Sequence, residues 1–298
     1  MTEALEAARR RAAALPIWSG AVDPQPYPGG ITNLNFLVED VGRRFLVRIG
    51  GDIPEHNVLR SAELAASRAA HAAGIAPAVR YAEPGALTLD FIDARAFTVA
   101  DVRDPANLER LADLVRRCHR DVPRHFRGPA PMFWVFQVLR DYAHRLRERR
   151  GGHGADLPRL QAAAERLEAA VGPVEIVFGH NDLLPANILD DGARLWLVDW
   201  EYAGFNGPLF DLGGLASNAG MDAEQSDALL GAYFGRAPDD HLRRRFAAMS
   251  AASLLRETMW SMVSELHSTI DFDYAAYTAE NRARFEAAWA AFRELERR

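Results

Sequence analysis

The segment Gly179-His180-Asn181-Asp182-Leu183-Leu184-Pro185-Ala186-Asn187-Ile188-Leu189-Asp190 carries an aspartate and an asparagine five positions apart, and Asp199 follows downstream. Ile188-Leu189 and Arg194 to Val198 read as two short strands joined at Asp191-Gly192, a hairpin turn signal. A two-residue turn there places Asn187 opposite Trp196, and three strand residues, about 10 Å, separate Trp196 from Asp199. Asn187 and Asp199 then leave the same open end of one hairpin, with Asp182 on the loop before it. A carboxamide oxygen and a carboxylate can share one hard cation, and magnesium prefers few protein oxygens plus substrate phosphates. A second carboxylate remains free to accept a proton from an attacking hydroxyl. Those are the working parts of phosphoryl transfer, which depends on positioning and electrostatics. Each residue alone is a common turn former; the ordered set His-x-Asp-x4-Asn, hairpin, Asp is what points to chemistry.

These residues need a frame. Upstream, Pro24 to Gly30 reads as a loop, followed by strands at Leu34 to Glu39 and Arg43 to Ile49 with a tight connection at Asp40-Val41-Gly42. The spacing of Leu59, Ala62, Ala66 and Ala69 predicts one helix from about Pro54 to Ala73, ended by Gly74. Ala78 to Tyr81 and Ala86 to Ile92 read as two further strands. Beyond Asp93 the pattern turns helical: a helix capped by Asp104-Pro105 with Leu108, Leu111, Val115 and Cys118 on one face, then Phe133 to Arg150, then Leu157 to Val171. A strand-like island at Glu175 to Trp200 precedes long helices from about Ala223 onward. The expected fold is α+β, with a sheet-rich region carrying one helix over residues 1–93 and a mainly helical region over 94–298.

The chain has 298 residues, 49% of them apolar and 26% charged, with a net charge of −6. That excludes bulk disorder and gives no basic patch for nucleic acid. An acidic balance suits a cationic substrate. No apolar run approaches the roughly 20 residues that cross a bilayer, and Met1 to Leu15 has no signal-peptide core. One cysteine, Cys118, excludes a disulfide framework and a cysteine-rich metal site and fits a reducing compartment. The expectation is a cytoplasmic protein with no membrane partner. A homodimer stays open. All 35 basic residues are arginine, so no lysine is available for catalysis.

The catalytic segment resembles that of the kinase-like phosphotransferases, a superfamily spanning protein kinases, aminoglycoside phosphotransferases and choline/ethanolamine kinases. The resemblance implies a two-lobed protein-kinase-like fold, ATP and Mg2+ as cofactors, Asp182 as catalytic base, and Asn187 and Asp199 as magnesium ligands. Gly29-Gly30-Ile31-Thr32-Asn33 is similar to the Gly-Gly-x-Thr-Asn loop of choline kinases; its glycines let backbone approach phosphate, and Thr32 and Asn33 add donors. Phe45-Leu46-Val47-Arg48-Ile49 puts Arg48 where protein kinases keep a lysine, with Glu63 as the matching carboxylate. An arginine there presents a permanent charge and a bidentate face. Ala86 to Ile92 resembles the hinge whose backbone meets adenine, with Asp90 and Ile92 beside it.

Val198-Asp199-Trp200-Glu201-Tyr202-Ala203-Gly204 and Gly207-Pro208-Leu209-Phe210-Asp211-Leu212 resemble choline/ethanolamine kinases in particular. Ser217-Asn218-Ala219-Gly220 resembles their bacterial branch, with Asn218 where the animal enzymes carry a glutamate near choline. The implied acceptor is a small cationic alcohol, choline first and ethanolamine second. Aromatic faces hold a quaternary ammonium, and Trp260, Tyr274 and Tyr277 with Asp271 or Asp273 suit that role, alongside Trp200, Glu201 and Tyr202. Val263 stands where the family carries a second tryptophan. Another alcohol (an aminoglycoside, thiamine or a sugar) is the alternative acceptor. A catalytically inactive nucleotide-binding protein would be expected to lack Asp182, Asn187 or Asp199, and all three are present. His180 reads as a brace for the loop rather than a base.

Overall fold

The computed structural model, which describes residues 3–29, 33–149, 152–268, 270 and 272–297, opens with a helix outside the one-helix expectation: α1, Glu3–Ala13. Its Ala8 and Ala12, with Leu15 beyond its end, pack on Phe36, Val38, Val47 and Ile49 in a small separate core. Those four belong to a five-stranded antiparallel sheet of order β1-β2-β3-β5-β4, built from β1 (Gln25–Pro26), β2 (Leu34–Asp40), β3 (Arg43–Ile49), β4 (Val79–Glu83) and β5 (Ala86–Asp90). The β2–β3 hairpin closes on Val41-Gly42, both at positive φ (47° and 71°), the two-residue geometry that matches strand twist.

The helix expected from Pro54 is interrupted. Pro54–His56 forms a single 3-10 turn that ends at Asn57 in the left-handed region, and α2 starts afresh at Arg60 and runs to Ala72. Asp52 accepts the Arg60 N–H at 2.7 Å, satisfying one orphan donor at the new start. Gly74, at φ 73°, terminates the helix as expected.

Beyond the sheet come β6 (Arg95–Ala96), α3 (Val99–Arg103), α4 (Leu108–His125), α5 (Val135–Glu148) and α6 (Leu157–Val171). Asp104 caps a short 3-10 turn at Pro105–Asn107, so α4 begins later than the Asp-Pro signal suggests. The island resolves into β7 (Val177–Gly179), β8 (Ile188–Asp190), β9 (Leu195–Leu197) and β10 (Gly204–Asn206). Four helices finish the chain: α7 (Pro208–Ala219), α8 (Ala223–Phe234), α9 (Asp240–His267) and α10 (Tyr274–Leu295). The architecture is the expected α+β one, a small antiparallel sheet region followed by a helical region.

Helix α9 is the axis of the larger core. It packs against α5, α6, α7 and α10, and its buried set winds around most of its circumference, from Leu242 to Ser264, as expected of a helix surrounded by others. Truncating a buried side chain such as Phe136 to alanine costs about 3 to 5 kcal/mol at such sites. Among the described residues no helix is long and apolar enough to cross a membrane.

Candidate active site

The catalytic hairpin differs from its expected register by two residues. Ile188 pairs with Leu197, Leu189 with Trp196 and Asp190 with Leu195, so Asn187 lies opposite Val198, whose N–H donates to the Asn187 carbonyl at 3.0 Å. The cause is Asp191, whose side chain accepts the N–H groups of Ala193 and Arg194 at 2.8 Å each and pulls the turn forward. The shift places Asp199 directly after the residue opposite Asn187, nearer than the unshifted register allows.

The loop carrying Asp182 is held by backbone bonds to buried side chains. Asp211, at the start of α7, accepts the His180 N–H at 2.8 Å and the Asn181 N–H at 2.7 Å, and His119 Nε2 lies 2.9 Å from the same carboxylate. Burial alone would raise the Asp211 pKa; the bonds from His119 and His180 outweigh it and hold the carboxyl below its ordinary range. Asn181, at φ 65°, turns its amide inward, donating to the carbonyls of Tyr202 (3.0 Å) and Gly204 (3.1 Å) and accepting from Asn206 Nδ2 (3.1 Å). A non-glycine residue keeps that conformation only when its surroundings over-determine it. Gly179 is required beside it, because a Cβ there would lie 2.7 Å from the Asn181 side-chain oxygen. His180 Nε2 lies 3.0 Å from the Val198 carbonyl, tying the loop to the strand that ends in Asp199. Asn187 Nδ2 donates to the Asp182 carbonyl at 3.0 Å.

Asp182 itself is 17% exposed at its side chain, and Arg256 Nη1 stands 3.6 Å away. Burial pushes its pKa up to about 8; Arg256 opposes the rise, and the like charges of Glu257, Asp199 and Glu201 add to it. A carboxyl group whose pKa is raised toward neutrality can both hold and release a proton, as a general acid–base group must.

Above the hairpin lies a network of arginines and carboxylates. Arg48 on β3 bonds Glu63 on α2 and, at 2.8 Å, Asp199. Burial would lower the Arg48 pKa, but Asp199, Glu63 and Glu201 together raise it. Arg60, not singled out from the sequence, reaches Glu63 at 2.7 Å, Glu201 at 3.0 Å and Asn33 Oδ1 at 2.6 Å. Asn33 Nδ2 donates to Glu201 at 3.1 Å. The loop residue Asn33, the helix α2 and the Asp-Trp-Glu segment are thereby joined through one guanidinium. Gly29 precedes this loop at φ 123°; Gly30, Thr32 and Asp271 lie outside the described residues. Asp199, at φ 69°, is, like Asn181, a non-glycine residue in the left-handed region. Asp90 sits on β5 with Arg80 Nε at 2.7 Å and Arg43 at 3.2 Å, and Ile92 follows it, half-buried.

On the other side, α9 and α10 wall the cleft. Trp260 donates to the Tyr202 hydroxyl at 2.8 Å and stacks on His56 at 4.8 Å. Tyr274 and Tyr277 surround it at 6.1 and 6.4 Å between ring centroids. Asp273 caps α10 through the Ala276 N–H. Trp200 is buried against His180, and Asn218 spans from the Leu183 carbonyl to Arg284. Glu257, which the sequence reading did not single out, accepts from Tyr277 at 2.8 Å and from Arg256 at 2.8 Å.

The chain matches the family model described as choline/ethanolamine kinase over residues 25–229. It is 27% identical over 278 residues to Protein LicA of Haemophilus influenzae, covering 90% of this chain and 79% of that protein. A choline/ethanolamine kinase family protein from Mesorhizobium loti superposes with a TM-score of 0.75 at 28% identity, covering 97% of this chain and 99% of that one. LicA in complex with AMP superposes with a TM-score of 0.79 at 19% identity, covering 98% and 100%.

Proposed function

The chain belongs to the choline/ethanolamine kinase family and is a phosphotransferase acting on an alcohol, and on that premise we propose that it transfers the γ-phosphoryl group of ATP, with magnesium, to the hydroxyl of choline or ethanolamine. The observation that carries this reading is the convergence of Asp182, Asn187 and Asp199 at one end of the hairpin, with Arg48 bonded to Asp199.

Asp182 orients the acceptor hydroxyl and takes its proton as the oxygen–phosphorus bond forms and the bond to the β-phosphate oxygen breaks, releasing ADP. The donor set fits magnesium. Asp199 offers a carboxylate, and Asn187 uses its amide nitrogen on the loop, leaving its oxygen as the end available to a cation. Magnesium, when bound, neutralises phosphate charge during transfer. Arg48 adds a fixed positive charge beside the phosphates, held in place by Glu63. Asn33, braced by Arg60 and Glu201, positions the phosphate-covering loop. The AMP complex of LicA supports nucleotide binding by this fold. The proposal treats 1–93 and 94–298 as the two lobes; its support is that β6 pairs with β8 and not with the five-stranded sheet. The lone cysteine, buried and unpaired, suits the cytoplasm, where ATP is supplied.

The test is to incubate the protein with ATP and magnesium plus choline or ethanolamine and follow the phosphomonoester by phosphorus NMR. Product that requires an acceptor and disappears with a chelator supports the reading. ATP left intact with both alcohols contradicts it.

A further inference from the structure

We propose that Glu257 selects the acceptor by taking an N–H bond from its ammonium group, so that the site favours ethanolamine over choline. This rests on the reading above that the acceptor is an amino alcohol.

The aromatic faces of Trp260, Tyr202 and Tyr274 are already in use. Trp260 is 4% exposed, with one face stacked on His56 at an interplanar angle of 26°. The Arg256 guanidinium lies 4.3 Å from the centre of the Tyr202 ring, filling a cation position with the chain's own cation. Tyr274 is buried. A quaternary ammonium carries no N–H and depends on open, desolvated faces. Here those faces would first have to be uncovered.

The polar groups, in contrast, remain within reach. The Glu257 side chain is 19% exposed. Its carboxylate takes one bond from the Tyr277 hydroxyl and one from Arg256, whereas an ionised carboxylate has about four acceptor positions. Acceptor capacity is therefore left for a ligand, a few ångströms along the same guanidinium from Asp182, which Arg256 also contacts. The Glu257 carboxylate offers a cation a negative charge as well as these lone pairs. A primary ammonium can use both the charge and the lone pairs. A trimethylammonium can use only the charge.

The experiment measures kcat/KM for ethanolamine, N-methylethanolamine, N,N-dimethylethanolamine and choline with the full-length protein and Mg-ATP. A site that relies on a substrate N–H rejects analogues that lack it, so the expected fall across the series is about tenfold or more, steepest where the last N–H is lost. In Glu257→Gln the series flattens: ethanolamine loses activity mainly through KM, and choline changes much less. Tyr277→Phe removes only the hydroxyl that orients Glu257 and shifts the ratio the same way by a smaller factor, which keeps the test open if Glu257→Gln folds poorly. Choline used as well as ethanolamine by the unaltered protein, or equal losses for both in Glu257→Gln, overturns the assignment while the phosphotransferase reading stands. No turnover of any of the four overturns both.

Discussion

In the catalytic loop a carboxylate grips backbone: Asp211 takes the N–H groups of His180 and Asn181, and Asn181 binds the carbonyls of Tyr202 and Gly204. In the arginine network beside it, side chains grip side chains: Arg48 and Arg60 share Glu63 and reach Asp199, Glu201 and Asn33. The first arrangement joins elements some 30 residues apart, and the backbone it holds has one conformation to adopt. The second spans up to 168 residues, from Asn33 to Glu201, through guanidinium groups on flexible stems. The loop is thus a rigid platform, and the network is a fastening between the sheet and helical regions that can be made and broken. Under the proposed function, nucleotide entry would ask for a fastening of that second kind.

The contrast is open to breakage at both ends. The largest effect is expected from Asp211→Ala, which leaves His119 and two backbone N–H groups without their shared acceptor. Loss of one partner of a buried ionic cluster costs about 3 to 5 kcal/mol, read as a lowered denaturant midpoint, with activity lost alongside. Arg48→Gln is expected to cost less stability than Asp211→Ala, because Arg60 still holds Glu63, but to lower kcat/KM for ATP by about 10²-fold through loss of charge at the phosphates. Steady-state kinetics together with a melting curve separate the two. Arg60→Gln is expected to raise KM for ATP by several-fold with little change in kcat, because it loosens Asn33 without touching Asp182. If it instead melts the protein as Asp211→Ala does, the network is a structural core and the contrast fails.

The smallest effect is a pH slope. The Asp211 carboxyl titrates below its ordinary range when folded, so its contribution is fully present above the unfolded pKa of about 3.9 and fades as pH falls through the lower folded value. Melting temperature followed from pH 6 to pH 3 should fall less steeply in Asp211→Asn than in the parent.

How much of this was legible in the sequence follows the same divide. Asp182, Asn187 and Asp199 lie within one short stretch around a hairpin, and their order was readable because the hairpin itself brings them together. Even there the turn was read two residues too short, since an aspartate side chain that bonds ahead to Ala193 and Arg194 opens it to the four residues 191–194. The break at Asn57 was hidden by helix-forming residues on both sides. Helix α1 was missed because its buried face within the helix is only Ala8 and Ala12, too few positions to show a helical period. Arg60 and Glu257 were invisible as site residues for a different reason. Each is an ordinary charged residue on a helix, and only the packing of α2 over the Asp-Trp-Glu segment and of α10 against α9 gives them their long-range partners.

The most direct measurement is turnover by Asp182→Asn beside the unaltered protein, with Mg-ATP and saturating ethanolamine or choline, and a melting curve on the same samples. If Asp182 takes the hydroxyl proton on a platform that Asp211 and Asn181 hold independently, kcat falls by about 10² to 10⁴-fold while the melting temperature stays close to that of the parent. Turnover retained within a few-fold would mean that the proton leaves by another group and that the carboxylate at Asp182 is not the base.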